Sequence, residues 1–130
     1  MSQENVEAVR RFNDSFRRAD WDARAAGMDQ HILIRADASW PERYIYGREA
    51  TIAWYRDVWE SWGPDAYIEE AIDLGDRVLV RFRWIISGQH SGVAGEQRFS
   101  EIATLREGRV ILVEYFLDPD EALKAVGLAE

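Results

Sequence analysis

Apolar residues at Val6, Val9, Phe12 and Phe16 recur at helical spacing, and Arg10, Arg11, Arg17 and Arg18 fall largely on the other side. Ser2 to Ala19 is therefore an expected amphipathic helix, with Asn13 inside its apolar stripe. Asp20 offers an N-cap for a short second helix that begins at Trp21 and that Gly27 ends. Ile32 to Ile34 predicts a brief strand. Ala36 to Gly47 follows neither period and predicts a loop, an aromatic one containing Trp40, Tyr44 and Tyr46. A third helix, from about Arg48 to Trp62, carries one stripe of Ile52, Tyr55 and Trp59 and another of Trp54, Val58 and Trp62 before Gly63-Pro64 breaks it. From there the period changes. Tyr67 to Leu74, Arg77 to about Ser87 and both arms of the segment Gln97 to Asp118 predict four strands, with turns at Gly75-Asp76 and Glu107-Gly108. Asp118-Pro119-Asp120-Glu121 starts a last short helix through Val126. Helices first and long antiparallel strands afterwards form the α+β order, in which helices pack on one face of a curved sheet. The expectation is that the first and third helices cover the same face of a single mixed sheet, with no helix on the other.

The last hairpin carries the candidate chemistry. Closed by a two- or four-residue loop, it pairs Leu105 with Val110, Ala103 with Leu112, Glu101 with Glu114, Phe99 with Phe116 and Gln97 with Asp118, all on one face. Two carboxylates then stand opposite each other between apolar pairs. Buried, they cannot both ionise cheaply, and a shared proton with one raised apparent pKa suits acid–base chemistry near neutral pH. Exposed, they are two surface acids. The other face, with Ile102, Ile111, Val113, Tyr115 and Leu117, is also apolar, but it carries Arg98, Arg106 and Arg109, which favours the Glu face as the inward one. A register shifted by one residue would put Tyr115 or Val113 opposite Glu101 and dissolve the pair.

Composition limits what such a site could serve. A chain of 130 residues with 47% hydrophobic and 31% charged residues is one globular domain with one core. A net charge of −8 with dispersed basic residues argues against nucleic acid or an anionic membrane as partner. The lack of cysteine excludes disulfides, a thiol nucleophile and Cys-ligated zinc. The start, MSQENVEAVRRF, has no signal-peptide run and no segment approaches a membrane span, so the expected location is cytoplasmic. Asp29 and His31 stand two apart, but no third ligand follows at usable spacing, and no metal site is expected. No phosphate-cradling loop, Ser-His-Asp ordering or nucleotide signature is present, and no cofactor is expected. Along the central strand, Arg77, Leu79, Arg81, Arg83 and Ile85 alternate with Val78, Val80, Phe82, Trp84 and Ile86, so either face leaves apolar area to cover. A homodimer is the expected remedy.

Taken in order, SQENVEAVRRF, ADWDA, YGREA, LGDRVLVRFR, EQRFSEIATLREGRVI and EYFLDPDEALKAVGL resemble the SnoaL-like proteins of the nuclear transport factor two-like superfamily. The resemblance implies a curved, mostly antiparallel mixed sheet, a cone or half-barrel, with three helices on its concave face enclosing a pocket, often in a homodimer. The superfamily includes ketosteroid isomerases, scytalone dehydratase, limonene epoxide hydrolase and polyketide cyclases, alongside members that only bind, so fold alone does not fix activity. The Tyr that ketosteroid isomerases use on the first helix falls near Phe12, and their general-base Asp falls near Ala36 or Asp37, which disfavours that reaction. The His pair of scytalone dehydratase has no match, since the chain holds only His31 and His90. The acid at the end of the last strand in cyclases and epoxide hydrolase matches Asp118, and Glu101 matches a position where relatives place His or Asp toward the cavity.

The expected catalytic set is therefore Glu101, Glu114 and Asp118. Asp118 also reads as the N-cap of the last helix, the favoured role, and Asn13 as a core residue bonded to backbone. The expected pocket is apolar and aromatic, lined by Phe12, Asn13, Phe16, Trp40, Tyr55, Trp59, Phe82, Trp84, Phe99 and Phe116, and its ligand is a small hydrophobic molecule. Two functions fit: cofactor-free isomerisation, cyclisation, dehydration or epoxide hydrolysis by carboxylate acid–base chemistry, or a ligand-binding or dimerising module without chemistry. A third is a protein-interaction domain that uses the outer sheet face.

Overall fold

The computed structural model describes residues 2–87 and 94–128, so His90 lies outside the described residues. The elements run α1 (Ser2–Arg17), α2 (Trp21–Ala26), β1 (Met28–Arg35), β2 (Tyr44–Tyr46), α3 (Arg48–Trp62), β3 (Ala66–Asp73), β4 (Arg77–Ser87), β5 (Ala94–Arg106), β6 (Arg109–Phe116) and α4 (Pro119–Ala125). The strands form one curved mixed sheet in the order β2-β1-β6-β5-β4-β3, with β1 parallel to β6 and the other neighbours antiparallel. Among the described residues no helix is long and apolar enough to cross a membrane.

Val6, Val9, Phe12 and Phe16 on α1 bury themselves against Val78, Val80 and Phe82 of β4, Ala103 and Leu105 of β5 and Val110 and Val113 of β6. Tyr55 of α3 joins the same core, so α1 and α3 cover one face of a single sheet, as expected. The aromatic loop contains a strand. In β2 only Ile45 points inward, and Tyr44 and Tyr46 stay exposed. Three residues are too short to show a period, and β2 exists because it pairs with β1.

The expectation of helices on one face alone fails at α4. Leu79 and Ile102, cross-strand partners on the outer face, are fully buried with Ala122, and Leu123, Val126 and Phe116 pack around them. A sheet face with adjacent Leu and Ile must be covered, and α4 supplies the cover from within the chain. The rest of that face carries the ion pairs Arg81–Glu70, Arg83–Glu96 and Arg98–Glu69. The apolar area from which a homodimer was argued is thus largely covered or charged.

The last hairpin turns where the sequence places it. Glu107 and Gly108 both have positive φ, 53° and 76°, the geometry of a tight two-residue hairpin turn, and Arg106 pairs with Arg109 and Leu105 with Val110. One step further the ladder slips. Thr104 pairs with Leu112, which leaves Ile111 as an extra residue in β6, a β-bulge. Beyond it every partner differs by one from the simple register: Ala103 faces Val113, Ile102 faces Glu114 and Glu101 faces Tyr115.

Candidate active site

The bulge decides the chemistry of the site. Phe99, Glu101 and Ala103 of β5 point inward as expected, but Val113 and Tyr115 replace Leu112, Glu114 and Phe116 as the inward residues of β6. Glu114 is not part of the site. It lies on the outer face beside Arg35, its register partner on β1, with which it forms an ion pair. Phe116 also faces outward, against α4. The Glu101–Glu114 acid pair does not exist.

A cavity of about 440 Å³ lies between the concave face, α1, α2 and α3. Its aromatic walls come from Phe16, Trp40, Trp54, Tyr55, Phe82, Trp84 and Phe99. Phe82 and Phe99 stack with ring centroids 4.8 Å apart, and the Trp84 indole N–H donates to the Gly63 carbonyl at 3.2 Å, which fixes that wall to the end of α3. Of the expected lining residues, Phe12, Trp59 and the outward-facing Phe116 do not reach the cavity. Phe12 is core, edge-on to Tyr55, and Trp59 packs against the core from outside. Trp54, Trp62, Gln97, Tyr115 and Leu117 line it instead.

Burial grades the cavity from mouth to floor. Ser39, Pro41, Trp62 and Gln97 are exposed, whereas Glu101, Arg24, Tyr55 and Asn13 are buried. Glu101 is fully buried. Its Oε2 accepts from the Asn13 side-chain amide at 2.9 Å, and the same amide donates to the Val9 carbonyl at 3.0 Å, which holds Asn13 in place on α1. Glu101 Oε1 has no hydrogen-bond partner. Desolvation pushes the Glu101 carboxyl above its ordinary range, and the Asn13 hydrogen bond, the Arg24 charge and the Tyr115 hydroxyl pull the other way without cancelling it. Beside it the Tyr55 and Tyr115 hydroxyls share a 2.6 Å hydrogen bond. Burial pushes Tyr55 up to about 12 and Tyr115 well above its ordinary value, so both stay neutral.

Asp37 forms a second, opposite carboxyl in the wall. It follows β1, and its Oδ1 accepts from the Leu117 backbone N–H at 3.0 Å while Oδ2 accepts from the Ser39 N–H at 3.0 Å and hydroxyl at 2.6 Å. Partial burial pushes this carboxyl up, but the bonds from Ser39 and Leu117 and the Arg43 charge together hold it below the ordinary value.

Asp118 is exposed and does not line the cavity. Its side chain accepts from the Asp120 N–H at 2.9 Å, with Pro119 opening α4, so it is the N-cap. Asp118→Ala is expected to cost about 1 kcal/mol of stability in urea unfolding. Ligand binding in the cavity should not change. Asp29 likewise is spent locally, its carboxylate accepting from the His31 backbone N–H at 2.8 Å. Among the described residues no three His, Asp or Glu side chains gather as a metal ion requires.

Arg24 is the charged cavity residue that sequence reasoning missed. It lies on α2, which Asp20 caps as expected by accepting from the Ala23 N–H at 3.1 Å. Trp21 and Arg24 are three apart, so they share one face of a helix whose remaining residues are Asp22 and three alanines. That spacing was the available signal, since a helix packed beside α1 has only that face to turn inward.

A model of the SnoaL-like domain matches residues 9–113. The chain belongs to the SnoaL-like domain family. Among curated proteins none matches it. Solved structures with this fold include a protein assigned as a SnoaL-like polyketide cyclase from Jannaschia sp. CCS1, 22% identical, covering 100% of this chain and 95% of its own, with a TM-score of 0.81. TerC, crystallised with polyporic acid, is 20% identical over 95% of this chain and 98% of its own, with a TM-score of 0.78. A protein assigned as a ketosteroid isomerase from Kribbella flavida DSM 17836 is 13% identical over 88% and 78%, with a TM-score of 0.74. At these identities the likeness is one of fold.

Proposed function

We propose that the cavity catalyses cofactor-free proton transfer on a small hydrophobic molecule of polyketide-, terpenoid- or steroid-like shape, with Glu101 as the acid and Asp37 as the base. The observation that carries this reading is the pair of carboxyls in one apolar cavity whose environments push them in opposite directions. Such divergence is what separates an acid from a base within one site. Protonated Glu101 donates to a carbonyl or hydroxyl oxygen seated at the floor, and the Tyr55–Tyr115 pair supplies further neutral donors there. Ionised Asp37, nearer the mouth, accepts the proton from carbon. Its three hydrogen bonds make it a weak base, so the reaction depends on the acid: protonation or hydrogen bonding at the carbonyl acidifies the adjacent C–H. Isomerisation, aldol-type cyclisation and dehydration share this step. The fold relatives assigned as a polyketide cyclase and a ketosteroid isomerase support it by analogy of fold alone.

The test is exchange of carbon-bound hydrogen in D2O, followed by NMR for a panel of β,γ-unsaturated ketones and cyclic 1,3-diketones. The parent protein should accelerate exchange for at least one of them, and Glu101→Gln and Asp37→Asn should each lose about 10²- to 10⁴-fold of that acceleration. Ligands that bind without any acceleration would leave the binding module as the function. Full activity in both variants would refute the two assignments.

A further inference from the structure

We infer that the floor of the cavity is an anion subsite, in which Arg24 receives a carboxylate, enolate or phenolate oxygen of an otherwise aromatic, apolar ligand. Arg24 is 1% exposed. Its guanidinium carbon lies among rings, 3.8 Å from the Tyr55 centroid and 4.0 Å from that of Phe12, and one terminal nitrogen donates to the Phe12 carbonyl. Its Nε is buried with no acceptor, and among the described residues it has no carboxylate partner. Guanidinium keeps its charge when buried, and buried charges in folded proteins are paired. The rings offset part of that need, since cation–π contacts are attractive but do not replace an anion. The nearby acid is Glu101, and burial favours its neutral form. The floor of the cavity therefore holds a buried cation with no carboxylate in ion-pair contact among the described residues, facing about 440 Å³ of mostly aromatic space. Asp37, nearer the mouth, carries the opposite charge, so an amphipathic ligand is oriented with its anionic oxygen inward and its apolar body toward Trp40 and Trp54.

This inference rests on the cavity being the ligand site, as proposed above, but not on its chemistry. The probes are 2-naphthoate and its neutral isostere 2-naphthamide, titrated against the whole chain by tryptophan fluorescence and calorimetry. The parent should bind the carboxylate at least about ten-fold more tightly than the amide. Arg24→Lys keeps the charge but loses the planar fork and should retain part of the preference; Arg24→Gln should abolish it. Glu101→Gln should keep the preference while losing proton transfer, so failure of this subsite and failure of the acid–base assignment show up in different measurements. Equal binding of the two probes by the parent, or no binding of 2-naphthoate up to millimolar concentration, overturns the inference without any variant having to fold. An unchanged preference in Arg24→Gln overturns it as well.

Discussion

The Glu101→Gln protein is expected to be more stable than its parent at pH 8 and no more stable at pH 4. The folded chain keeps a proton on Glu101 that the unfolded chain releases near the ordinary value of 4.5. Between that pH and the higher folded value the native state binds more protons than the unfolded one, so raising the pH destabilises the parent. Within that window each pH unit removes about 1.4 kcal/mol. Below it the contribution is fully present, and above the folded value the loss is complete. Glutamine has no proton to hold back, and its amide oxygen can still accept from Asn13, so its advantage opens with pH over the same window. For a domain of this size each kcal/mol moves the melting temperature by roughly 3–5 °C. Thermal melts of both proteins from pH 4 to pH 8 provide the check. A stability difference that stays constant across the range would show that Glu101 is ionised in the native state.

Deleting Ile111 is expected to abolish the native fold or to cost more than about 5 kcal/mol. Ile111 is the extra residue of the β6 bulge. Without it, everything from Leu112 onward moves by one position and every side chain changes face. Val113 and Tyr115 leave the core, each forfeiting roughly 1.5–3 kcal/mol of burial. Glu114 loses Arg35 and arrives opposite Glu101, where an unpaired buried carboxylate costs about 3–5 kcal/mol. Total stabilities of small domains are roughly 5–15 kcal/mol, so little would remain. Ile111→Ala is the control, because it keeps the residue count and should cost at most about 2 kcal/mol at this half-buried site. Urea unfolding of the two variants separates register from side-chain loss. Comparable stability of deletion and control would mean that the bulge does not hold the register.

The helices and long strands were legible in the sequence because their signals are local. The apolar stripe of α1, the Asp20 and Asp118 caps, the Gly63-Pro64 stop and the Glu107-Gly108 turn each act within a few residues of themselves, and the structure keeps them all. So is the inward direction of Glu101, which follows from the arginines that burden the alternate face of β5. What surrounds Glu101 was not legible. The turn sets the register only for the first pairs, and a bulge two residues later reversed every face assignment in the rest of β6, exchanging Glu114 for Tyr115. The strand β2 and the placement of α4 on the outer face depend on partners in other elements, β1 for one and Leu79 with Ile102 for the other. Arg24 looked like one of many dispersed basic residues until α2 was packed beside α1. The sequence by itself determined which segments could be helix or strand and that an acid would be buried, since propensity, capping and alternation are properties of neighbours. Only the tertiary structure decided that this acid stands beside a buried arginine, because register and helix docking are settled by contacts between separate elements, such as the hydrogen bond from Asn13 to Glu101, where local pattern carries no information.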